Sequence, residues 1–73
     1  SCRSYIAHLE HIHILGPTSR EMVVDRLAAL HTQGIDIPLV KWVTLMVLFN
    51  QDRDNGLKYM EFITLLDHKD YLQ

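Results

Sequence analysis

From Asn50 onward the chain places oxygen-bearing side chains at every second position, Asn50, Asp52 and Asp54, and then a carboxylate at Glu61. Apolar runs stand on both sides, Trp42 to Phe49 before it and Phe62-Ile63-Thr64-Leu65-Leu66 after it. This stretch constrains the fold more than any other, because it separates the two most apolar segments and is too polar to be buried itself. Counted from Asn50 as position one, the oxygens fall at positions one, three, five and twelve, the spacing with which a tightly turning loop surrounds a hard cation such as Ca²⁺. Glu61, in the first turn of a following helix, would swing in and offer both oxygens. Leu57 would pin the loop to a partner loop.

The flanks lead to the same frame. Trp42, Met46, Leu48 and Phe49 form the stripe of an entering helix, and Phe62, Leu65 and Leu66 continue it in an exiting one. On these residues the segment resembles the EF-hand family and is similar to the last hand of calmodulin-type proteins, both in the loop and in the Glu61 to Leu66 tail; the likeness covers residues 41 to 68. Three positions depart from the family pattern: Asn55 stands where the turn glycine belongs and Gly56 follows it, Asn50 supplies a neutral oxygen where aspartate is usual, and Lys58 puts a cation at position nine. The resemblance implies a metal site made of Asn50, Asp52, Asp54, the Gly56 carbonyl and Glu61. It would hold Ca²⁺ weakly, on the order of 10⁻⁵ to 10⁻³ M.

Taken in order, Tyr5, Ile6, Leu9 and Ile12 predict a first helix over about Ser4 to Ile14, ended by Leu15-Gly16-Pro17. Thr18-Ser19-Arg20-Glu21 reads as a capping box, which starts a second helix near Ser19 with Met22, Val23, Leu27 and Leu30 as its buried stripe. Gly34 is placed to end that helix in a left-handed conformation. Pro38 suits the first turn of a third helix, running to about Phe49, and a fourth is predicted from about Tyr59 to Tyr71. A shift of about forty places sets Phe49 on Leu9, Met46 on Ile6, Gly56 on Gly16, Glu61 on Glu21 and Phe62 on Met22. The first helix pair, residues 1–33, then takes the place of a partner hand to the second, residues 38–73. Ile12 and Ile14 stand at its would-be ligand positions and cannot coordinate, so it reads as a silent hand kept for packing.

The fold expected is therefore all-α, a four-helix paired EF-hand-like lobe in a single domain cut from something longer. At 73 residues the chain has room for one modest core, and 48% apolar with 22% charged residues is a globular balance. A net charge of -2 with scattered Lys and Arg leaves no footprint for nucleic acid. No apolar run reaches the roughly twenty residues of a membrane span. Cys2 is the one cysteine, which excludes an internal disulfide and favours an intracellular, cytoplasmic setting. His8 and His11 share a helix face with His13 nearby; a transition-metal site would need further ligands, and solvated histidines are the simpler reading. No nucleophile motif or phosphate loop is present, so no enzyme is expected.

What the resemblance implies for function is a regulatory or protein-interaction module, switched by calcium at the second hand. Much of the apolar stripe is core, but a lobe this small leaves part of it uncovered. Trp42, Met46, Phe49, Phe62, Leu65 and Leu66 are the residues expected to receive a partner protein, as an amphipathic helix or an adjacent domain of the same polypeptide. The alternative is a constitutive, calcium-independent structural domain packed within a larger protein.

Overall fold

The computed structural model describes residues 1–30 and 34–67, with the side chains of residues 66 and 67 left aside. It is all-α. Helix α1 spans Cys2–His11, α2 Pro17–Ala29, α3 Ile37–Gln51 and α4 Arg53–Phe62, and α4 runs on into a π-helical turn, Ile63–Asp67. The four helices form a slab of about 30 × 29 × 18 Å.

Local chemistry explains each boundary. The Ser1 hydroxyl accepts the Ser4 N–H and opens α1. At its other end His13 adopts φ 65°, and the N–H groups of His13 and Ile14 reach back to the carbonyls of Glu10 and Leu9 at 3.1 and 2.9 Å. That is a Schellman closure with histidine where glycine is usual. It ends the helix three residues before the expected Ile14. Helix α2 begins at Pro17, behind an extended Gly16 that supplies no side-chain cap; the proline's fixed φ and missing N–H suit a first helical position. The expected capping box is thus absent, and Ser19 uses its hydroxyl instead to donate to Gln51 Oε1 at the end of α3. Gly34 does take a left-handed φ of 80°, but α2 has already ended at Ala29. Asp36 caps α3 by accepting the Leu39 N–H at 3.0 Å, with Pro38 in the first turn.

The largest departure from expectation lies at Asn50 to Glu61. Helix α3 continues through Gln51, Asp52 is the whole link, and α4 starts at Arg53, six residues before the expected Tyr59. Asp52 serves both helices at once. Its N–H closes on the Leu48 carbonyl at 2.9 Å, while its side chain accepts the Asp54 N–H and its own carbonyl accepts the Gly56 N–H, at 3.0 and 3.1 Å. Of the expected fourth helix, residues 68–71 lie outside the described residues.

The core lies between α1, α2 and α3 and is closed by α4. Ile6 and Leu9 come from α1, Leu15 from the connection, Val23 and Leu27 from α2, Val40, Val43, Val47 and Leu48 from α3, and Tyr59 from α4. Leu30, expected in this core, is 38% exposed. Helix α3 touches each of the other three. Helix α4 lies along α3 and reaches α1 through side chains: the Tyr59 and Tyr5 hydroxyls are 2.8 Å apart, and Phe62 lies between the rings of Tyr59 and His8. Lys41 on α3 sets its ammonium 5.8 Å from the centre of the Tyr5 ring, within cation–π range.

Candidate functional site: the outer face of the third helix

Helix α3 reads Ile-Pro-Leu-Val-Lys-Trp-Val-Thr-Leu-Met-Val-Leu-Phe-Asn-Gln, with Lys41, Thr44, Asn50 and Gln51 as its polar residues. A helix apolar on all sides is normally covered on all sides. Here Val40, Val43, Thr44, Val47 and Leu48 form the inward stripe, at the spacing of one helical face. Trp42 and Met46, one turn apart, lie outside it; Trp42 is 68% exposed and Met46 36%. Leu45 and Phe49 are half-buried between the two.

The six residues expected to receive a partner are thus divided by the structure. Trp42 and Met46 stand together on the open side of α3. Phe49 packs internally: a Cβ built on Gly56 would sit 2.5 to 2.7 Å from three of its ring carbons. Phe62 is half-buried, with ring centres 6.2 Å from Tyr59 and 6.3 Å from His8. Leu65 is 56% exposed on the π-helical turn and lines a shallow cleft with Lys58, Glu61 and Phe62. Leu66 has its side chain outside the described residues.

The expected calcium cup is not formed. Asn50 lies in the last turn of α3, Asp52 at the joint, and Asp54, Gly56 and Glu61 within α4. Asp54 and Glu61 share a helix face but are seven residues apart, roughly 10 Å along the axis, too far to reach a common ion at about 2.3 to 2.6 Å from each. The Gly56 carbonyl belongs to the helical ladder, and the glycine's small size is used for the approach of Phe49. Among the described residues no three His, Cys, Asp or Glu side chains are grouped to hold a metal ion. His8 and His11 are exposed on α1, and His13 closes that helix. Cys2 is half-buried, its thiol 3.8 Å from the Ile35 carbonyl.

The sequence shows no sign of two other groupings. One is the Tyr5–Tyr59 hydroxyl pair, since residues 54 positions apart carry no local pattern. The other is the ion pair of Arg20 Nε with Glu10 Oε1, at 3.0 Å between α1 and α2.

A family model described as "Protein of unknown function (DUF494)" matches residues 1–73. The chain belongs to the DUF494 family. Among curated relatives, the Protein Smg homolog of Coxiella burnetii is 46% identical over 67 residues, covering 90% of this chain and 42% of that protein. Protein Smg of Yersinia pestis and Protein Smg of Yersinia pseudotuberculosis are each 44% identical over 73 residues, covering 99% of this chain and 46% of theirs. The chain therefore spans less than half the length of these DUF494 relatives. No solved structure matches it. Membership of DUF494 replaces the EF-hand resemblance, and with it both the calcium-regulated module and its calcium-free EF-hand alternative. The likeness rested on oxygens at alternate positions, which here belong to a helix end, a one-residue joint and a helix start.

Proposed function

We infer that this DUF494 chain is a helical docking unit, not an enzyme, and that the outer face of α3 around Trp42 and Met46 receives a helix from another part of the family polypeptide. The observation that supports this most directly is a fifteen-residue helix apolar on every side with its one tryptophan 68% exposed. Covering the open part of such a side chain removes enough apolar surface to contribute roughly 3 to 4 kcal/mol before the costs of association. Tryptophan is also the side chain most enriched at the energetic centres of interfaces. Trp42 and Met46 are spaced as helix-in-groove anchors are, one turn apart. The occupant follows from length: the relatives carry more than half of their chain outside the matched region, and that remainder is the nearest source of a covering helix. An intracellular setting goes with this reading, on the strength of the single cysteine.

Trp42 is the only tryptophan, so its emission reports on this face alone. In the 73-residue chain it should emit as a hydrated indole and be quenched freely by acrylamide. In a polypeptide extended to the relatives' length, emission should move to the blue and quenching should fall, and Met46→Ser should reverse part of both changes. Equal quenching in the short and long forms would overturn the assignment.

A further inference from the structure

On the side of the molecule formed by α1 and α2, a cleft of about 360 Å³ is lined by Arg3, Ile6, Ala7, Glu10, Arg20 and Val24. Positions 3, 7 and 10 share one face of α1, and positions 20 and 24 one face of α2, so the lining follows from helical spacing. The floor is aliphatic and the rim is charged. Arg20 Nε donates to Glu10 Oε1 at 3.0 Å, with both side chains still well exposed at 47% and 39%. An ion pair so wet contributes little stability, and it engages Arg20 through Nε alone. The two terminal nitrogens of Arg20, and the whole Arg3 guanidinium, have no partner among the described residues. The lining thus carries two positive charges against one negative, on a chain whose net charge is -2. Glu21 and Asp25 line the adjoining groove of α2, which shares Arg20 and Val24 with the cleft.

We propose that this cleft binds a small aliphatic monocarboxylate, its carboxylate held by Arg3 and the free nitrogens of Arg20 and its hydrocarbon body lying over Ala7 and Val24. A guanidinium presents paired donors that match the two oxygens of a carboxylate, which a lone ammonium does not. The floor rewards an apolar body: Val24 is 40% exposed, and an aliphatic chain would cover it. The size of the cleft sets the scale of the ligand, within the range of small-molecule sites.

The probe is isocaproate, titrated into the protein while the backbone amide resonances of Ala7 and Val24 are followed. Saturable shifts are expected, with a dissociation constant on the order of 1 mM for so few atoms. Arg3→Met and Arg20→Met should each weaken binding about tenfold, the loss of a charge-assisted pair, and Ala7→Leu, which fills the floor, should abolish it. Isoamyl alcohol should not compete. Helical content measured on each variant separates loss of binding from loss of fold, and the series of ligands on the unaltered chain stands without any variant. Inorganic phosphate binding as tightly as isocaproate, or an Ala7→Leu chain that binds isocaproate unchanged, would overturn the proposal. The cleft uses α1 and α2 and none of the outer face of α3, so either result leaves the docking assignment where it stands.

Discussion

Thr44 is fully buried, and its hydroxyl is the one buried side-chain polar atom without a hydrogen-bond partner among the described residues. Its neighbours on the inward face of α3 are Val40, Val43, Val47 and Leu48, so an isosteric methyl would be at home. Burying an unpaired hydroxyl costs about 1 to 3 kcal/mol. Thr44→Val should therefore raise stability by about 1 kcal/mol, read as a higher urea midpoint at unchanged slope. At this scale the sequence is a partial guide. Ile6, Leu9, Val23 and Leu27 were legible as core because helical periodicity alone places them. The phenol of Tyr59, fully buried against Tyr5, was not, since its partner lies 54 residues away. Nor was His13 legible as the left-handed residue that closes α1, a place where glycine is the expected signal.

Between elements, the decisive contact is that of Phe49 with Gly56. The Phe49 ring occupies the space a Cβ on residue 56 would need. Gly56→Ala would gain about 1 kcal/mol of helix propensity, but the ring carbons in the way are those at its root, which cannot swing aside. Overpacking of this kind costs typically about 1 to 3 kcal/mol, so a net loss of up to about 2 kcal/mol is expected. In a Phe49→Ala background the same change should become neutral or stabilising; a double-mutant cycle on thermal or urea unfolding measures it. The same glycine shows why the EF-hand resemblance failed. Asp, Asn and Gly between two apolar runs are loop formers, but Asp is also among the best N-caps, and acidic residues favour the first turn of a helix. Asp52 and Asp54 meet both descriptions. Residue types alone did not separate a wide cation loop from an abrupt helix-to-helix joint.

For the whole molecule, four helices were legible because 73 residues with this periodicity have few other ways to form a core. How α3 and α4 join was not legible, and the site expected at their joint went with it. Helix α3 is the centre of the core and also bears Trp42, at 68% the most exposed large apolar side chain among the described residues, so the sole tryptophan lies outside the packed interior. Unfolding should therefore change Trp42 emission only slightly, while the far-ultraviolet dichroism of the helices collapses. A large blue-to-red shift on melting the 73-residue chain would mean that Trp42 is covered, against its 68% exposure. The single residue between α3 and α4 carries one more consequence. Inserting or deleting one amino acid at Asp52 would turn α4 by about 100° about its own axis and swing Tyr59, now fully buried, out of the interior. Natural length variation in this part of the family should spare the joint.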